Sequence, residues 1–160
     1  MRVLITNIWL VDWGGTEVYV RDLAIALQHK GIEVEVYSPE LGSVAEEIRR
    51  VGIHVADSIA GLRQVPDIIH AHHTVPALEV LSAFPKAPAI YVLHARNYPE
   101  DIPPKHPRIL RYLAVDYNTL EQLLVEERIP EQHTEVVLNW VDTERFVLRD
   151  SWPEKPAKAA

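Results

Sequence analysis

Trp13 to Gly31 reads W-G-G-T-E-V-Y-V-R-D-L-A-I-A-L-Q-H-K-G, and this stretch decides the fold. It follows a short apolar run, Val3, Leu4 and Ile5, and opens on Gly14-Gly15. Val20, Leu23, Ala24 and Leu27 then fall at i, i+3, i+4 and i+7, the stripe of an amphipathic helix. Gly31 stands where a helix-ending glycine belongs. Strand, glycine turn and helix make a phosphate-binding arrangement, because glycines let backbone approach closely and a helix N-terminus offers free N–H groups.

Working outward, the remaining chain repeats this alternation. Arg2 to Thr6, Glu33 to Tyr37, Ile53 to Val55, Asp67 to His72, Ala89 to Leu93, Tyr112 to Val115 and Glu135 to Leu138 read as strands. Helices are expected after Ser43, where Ser43 to Glu46 matches a capping box with Val44, Ile48 and Val51 inward. Others are expected over Pro76 to Ala83 and after Asn118, with Leu120, Leu123 and Leu124 inward. The four prolines between Arg96 and Pro107 rule out regular structure there. The expected fold is therefore α/β, a Rossmann-like three-layer domain with a mostly parallel sheet of about seven strands over residues 1–148. Residues 149–160, rich in Pro, Lys, Glu and Ala, read as a linker or tail.

Composition narrows function. The chain has 160 residues, enough for one domain, and 16 basic against 23 acidic residues give a net charge of -7. That balance argues against nucleic-acid or broad anionic-membrane binding. No cysteine is present, so disulfides, thiolate metal sites and cysteine nucleophiles are excluded. Neither a signal peptide nor a membrane-spanning run is visible, so a cytoplasmic location is expected.

Ligands of such sheets bind beyond the strand C-termini, and the polar residues cluster there: Asn7 to Gly15, His70 to Thr74, His94 to Asn97, Asp116 to Asn118, and Asn139. The glycine pair is not G-x-G-x-x-G, and the second strand ends at Ser38 where a ribose would want an acid. Dinucleotide chemistry is thereby disfavoured, and a turn that merely needs glycine stands as the alternative to a phosphate loop. His70, His72 and His73 invite a metal, but alternation places His73 opposite the other two, so none is expected. His94 at a strand end suits a base, a hydrogen-bond donor to a ligand, or a structural histidine.

Taken in order, these pieces resemble the family 4 retaining glycosyltransferases of GT-B fold. Gly14-Gly15-Thr16-Glu17 through Val34 is similar to their opening, Pro66 to His72 to their P-D-h-h-H-x-H segment, and Tyr91 to His94 to their h-h-x-x-H segment. Leu138 to Asp142 with Arg145 and Phe146 resembles the signature closing their N-terminal domain. The resemblance spans residues 1–148.

It implies an acceptor-binding half of a nucleotide-sugar-dependent enzyme, inactive alone, whose partner would be a C-terminal donor-binding domain beyond Ala160. The alternative is a stand-alone, non-catalytic binding module. By the resemblance, His94 would be catalytic, at the reacting sugar. Gly14, Gly15 and Thr16 would lie near the donor diphosphate, and His72, Arg96, Asp116 and Asn139 would contribute to substrate binding. No cofactor beyond the nucleotide-diphosphate sugar as co-substrate is implied. The acceptor would be a sugar, or a lipid- or phosphate-linked one with peripheral membrane contact. The loop from Arg96 to Pro107 reads first as an exposed ordered connection, the alternative being a semi-rigid acceptor lip built from its prolines with Arg96, Lys105 and Arg108. Trp140 stands where the family has glycine, which speaks against a turn of positive φ there, and Asp116 where it commonly has serine, either altering acceptor contacts or capping the following helix.

Overall fold

A computed structural model describes residues 1–143 and 146–147; the expected tail at 149–160 lies outside them. The elements run β1 (Arg2–Thr6), β2 (Trp9–Leu10), α1 (Gly15–His29), β3 (Glu33–Tyr37), β4 (Glu40–Leu41) and α2 (Ser43–Arg50). They continue with β5 (His54–Ala56), β6 (Ile68–His72), α3 (Thr74–Ala83), β7 (Ala89–Leu93), β8 (Ile109–Ala114), α4 (Tyr117–Glu121) and β9 (Thr134–Val136). Seven strands form one sheet in the order β5-β3-β1-β6-β7-β8-β9, every pair parallel. The chain winds outward from β1 in one direction and then returns to β6 and winds in the other. The switch point therefore lies between β1 and β6, as the doubly wound α/β plan requires.

Alternation along the strands makes two cores. Val3, Ile5, Val36 and Val55 face α1 and α2, whose Val20, Ala24, Val44 and Ile48 are fully buried against them. Leu4, Ile69, Ala71, Tyr91 and Leu93 face the other way, toward Ala77, Val80 and Leu81 of α3 and Leu123 beyond α4. Burying both faces explains why these strands read as near-continuous apolar runs. Helix α1 ends as its sequence foretells, with Gly31 in left-handed backbone at φ 76°.

Several local details differ from expectation. Gly42, not a serine box, precedes α2. Ser43 is instead the first helical residue, and its backbone N–H and hydroxyl both donate to the Val11 carbonyl, at 2.7 and 2.8 Å. That contact needs glycine before it, since a Cβ at Gly42 would stand 2.6 Å from the same carbonyl oxygen. Val51 caps α2 in solvent rather than facing inward. Asp116, not Asn118, caps α4 by accepting from the Thr119 N–H at 2.7 Å. The helix then widens into a π turn over Gln122–Glu126, which buries Gln122 beside Leu123. A second, two-stranded sheet pairs β2 with β4; two-residue strands carry no readable period.

Candidate functional site

The carboxyl end of the sheet is fastened at its switch point. Thr6 at the end of β1 donates its hydroxyl to the His72 carbonyl and accepts from the His72 N–H, both at 2.9 Å. Asn7, fully buried, takes the Tyr37 carbonyl with its backbone N–H at 2.9 Å and the Trp9 carbonyl with its side-chain amide at 2.6 Å. The chain thereby turns into β2 and brings the Trp9 ring within 6.1 Å of the His73 ring.

His73 leaves β6 in left-handed backbone, φ 58°, and caps α3. A non-glycine residue held there costs on the order of 1 kcal/mol. The turn swings its ring away from His70 and His72 and into the interior, beside Asp101. Asp101 comes from a short 3-10 turn, Pro99–Asp101, inside the proline-rich loop. Its Oδ2 accepts from the backbone N–H groups of His94 and Ala95, at 3.1 and 2.9 Å, so a carboxylate anchors the end of β7. The loop is held in turn by the Tyr91 hydroxyl, which donates to the Asp101 carbonyl at 3.1 Å, and by the Thr74 hydroxyl, which donates to the Glu100 carbonyl.

Not every buried group is satisfied. His73 Nε2 is 3.7 Å from Asp101 Oδ1, too far for a hydrogen bond, and burial lowers the His73 pKa to about 4, keeping it neutral. Among the described residues, Asp101 Oδ1, His73 Nδ1 and Asn7 Oδ1 are all buried without a partner. Burial also raises the Asp101 pKa to about 6, against the pull of the two N–H groups it accepts from. It drives His94 down to about 3, with His73 and His70 adding to the effect. His94 is therefore a neutral imidazole near pH 7.

His73, His94 and Asp101 border a cleft of about 520 Å³ between the first turn of α1 and the end of β7. Gly15, Thr16, His94 and Asn139 line it, as do His73 and Asp101. Gly14 stands just outside as the residue that precedes α1. His72 is brought to the site but lies wholly behind His94, its Nδ1 2.6 Å from His94 Nε2. Tyr19 of α1 covers both rings edge-on, and Trp140 packs on Tyr19 at 4.5 Å. Trp140 is not among the residues with positive φ.

Two of the expected binding residues are placed elsewhere. Arg96 turns outward, where it bonds Asn118 at 2.8 Å and pairs with Glu121 and Glu126. Asp116 is consumed in capping α4. The basic lip does not form either. Arg108 donates to the carbonyls of Phe84, Ala87 and Leu81 on the far side of the loop, and Lys105 stands 3.9 Å from Glu127. A cation among nearby carboxylates and carbonyls is used up locally, which sequence spacing does not reveal.

Sequence reasoning placed the segments Asn7 to Gly15 and His70 to Thr74 at the ligand end of the sheet without singling out Trp9 or His73, and it missed Asp101 and Tyr19 altogether. Only Tyr19 carried a signal, an aromatic residue next to the inward stripe of α1. Asp101 is one acid among prolines, and nothing local marks it as buried. Among the described residues no three His, Asp or Glu side chains converge as metal ligands, and no helix is long and apolar enough to cross a membrane.

With this geometry in hand, residues 13–145 match the sequence profile of Glycosyltransferase Family 4. The D-inositol 3-phosphate glycosyltransferase of Paenarthrobacter aurescens (strain TC1) is 39% identical over 67 residues, which cover 37% of this chain and 16% of that protein. A glycosyltransferase from Rickettsia africae ESF-5 superposes with a TM-score of 0.66 at 17% identity, covering 89% of this chain and 44% of that one. The matches thus span less than half the length of either relative, and the second is a likeness of fold.

Proposed function

The chain belongs to glycosyltransferase family 4, and from that premise we propose that it is the acceptor-binding half of a cytoplasmic, nucleotide-sugar-dependent glycosyltransferase of GT-B architecture. The observation that carries this reading is an unexplained glycine facing a neutral histidine across one cleft. Among the described residues nothing lies within 4 Å of where a Gly15 Cβ would stand, and its φ is not positive. The fold itself does not require glycine there; a ligand drawn against the first turn of α1 does.

The free N–H groups and dipole of that turn favour a diphosphate. Glu17 now holds the place, its carboxylate over Gly14 and accepting from the Thr16 hydroxyl at 3.0 Å, so an incoming diphosphate displaces it. Neutral His94 hydrogen-bonds a hydroxyl of the reacting sugar without placing a charge beside it. Departure of the nucleotide diphosphate needs cationic stabilisation. Arg96 and Arg108 are engaged elsewhere and Lys105 does not line the cleft, so we assign that charge to a donor-binding domain. The acceptor is a hydroxyl-rich sugar or cyclitol, in keeping with the D-inositol 3-phosphate in the name of the Paenarthrobacter relative.

Calorimetric titration of residues 1–160 with nucleotide-diphosphate sugars tests the split site. Weak or undetectable binding and no transfer are expected; tight binding or turnover by this chain alone overturns the reading.

A further inference from the structure

His94 is the outer member of a file of three histidines. His70 Nδ1 lies 2.9 Å from His72 Nε2, and His72 Nδ1 lies 2.6 Å from His94 Nε2. The rings meet edge to edge, centroids 4.9 Å apart at both steps and planes inclined by only 29° and 27°. Strand alternation along β6 sets His70 and His72 on the face that α1 covers, and the end of β7 brings His94 beside them. His72 is fully buried, which removes water as a competitor for its nitrogens, while His70 is half-buried.

A neutral imidazole has one N–H and one bare nitrogen. Burial holds all three rings in that neutral form. Each N···N contact is satisfied by one proton; two would clash and none would oppose lone pairs. Only two arrangements satisfy both contacts together. In one, every Nδ1 carries the proton and His94 Nδ1 is a donor. In the other, every Nε2 carries it and His94 Nδ1 is an acceptor.

We propose that His70, His72 and His94 form a single tautomeric relay, in which His72 and His70 are positioning residues that let His94 Nδ1 act as donor or acceptor to a cleft hydroxyl. Conversion of the first arrangement to the second is balanced. Water gives a proton to His70 Nε2, the His70 Nδ1 proton passes to His72 Nε2, the His72 Nδ1 proton passes to His94 Nε2, and His94 Nδ1 releases its proton to the bound hydroxyl network. The ligand end of this proposal rests on the reading of His94 given above, whereas the relay itself does not.

Nitrogen-15 NMR of the histidine-labelled chain at pH 7.5 tests the two separately. Couplings across both N···N contacts are expected, with one shared tautomer for the three rings. His70→Leu, on a retained amide spectrum, is expected to leave His94 as a mixture of tautomers, and His70→Gln to restore one form. Missing couplings, independent tautomer ratios, or a His94 signal indifferent to His70→Leu overturns the relay. If His70→Leu does not fold, the couplings in the unaltered chain decide alone. Glucose serves as a hydroxyl probe: all three signals moving together supports the relay, and His94 moving alone overturns it while sparing the cleft. Intact couplings with no response to glucose leave the relay standing and overturn the role given to His94.

Discussion

The two ends of the same parallel sheet treat polar groups in opposite ways. At the amino end, Asp67 accepts from the Arg2 N–H at 2.8 Å and from its guanidinium at 3.1 Å. Glu35 likewise accepts from the N–H groups of Arg63 and Gln64, at 2.9 and 3.1 Å. Both carboxylates there have hydrogen-bond partners, and Asp67 is open to water. At the carboxyl end, histidines and an aspartate are buried, and Asn7, His73 and Asp101 each keep an unpartnered atom. A fold has little reason to bury such groups unsatisfied. The difference marks the carboxyl end as the candidate site on physical grounds that do not draw on the family match.

Acid gives the largest way to break this comparison. Unfolded histidines protonate near 6.5, whereas His70 and His73 resist to about 4 and His94 to about 3. Their folded pKa values lie below the unfolded ones, so the unfolded state binds more protons as pH falls, and stability drops by about 1.4 kcal/mol per pH unit for each group. Asp101 runs the other way. Its folded value of about 6 exceeds the ordinary 3.8, so its contribution grows as pH falls through 6. The histidines win by number, and the domain is expected to lose roughly 3–5 kcal/mol between pH 7.5 and 5. Asp67, whose pKa is lowered by its bonds to Arg2, stays ionised over that window and adds nothing to the fall. Urea midpoints across the range check this, and a flat profile would remove the contrast.

Single substitutions sharpen it next. Thr6→Val keeps shape but strips both partners from the buried backbone of His72, an expected loss of about 1–3 kcal/mol. Asp67→Asn at the opposite end is expected to leave the urea midpoint unchanged within scatter, because an exposed pair contributes little. Equal effects from the two variants would mean that burial does not separate the two ends.

How much of this was legible follows the physics of each part. The helix stripe at Val20 and Ala24, the buried runs in β1, β6 and β7, and the left-handed Gly31 all rest on periodicity or backbone freedom, which sequence carries directly. The polar strand ends followed from topology, and so His94, Gly15 and Asn139 could be placed at the cleft in advance. Side-chain partners set by distant segments had no such carrier. Arg96 meets Glu121 and Glu126, and Asp101 meets the end of β7, only after the loop has folded back. The left-handed turn at His73 was equally hidden, because histidine has no intrinsic preference strong enough to announce it.

Gly15→Ala gives the smallest effect on the fold and the most discriminating one. With open space at its Cβ and no positive φ, alanine adds helix propensity at the first position of α1 without a clash. The expected change is a gain of about 0.5 kcal/mol in stability, since glycine in a helix is the less favourable residue by that order. In a glycosyltransferase complete with its donor-binding domain, the added methyl projects into the cleft where a diphosphate would approach, so kcat/KM is expected to fall at least tenfold. Gains in stability and losses in activity rarely coincide at a residue kept only for its fold. Thermal unfolding of the chain and steady-state transfer by the complete enzyme measure the two signs separately. If alanine stabilises the domain and leaves kcat/KM unchanged, the glycine is a turn residue, and the first turn of α1 is not a ligand surface.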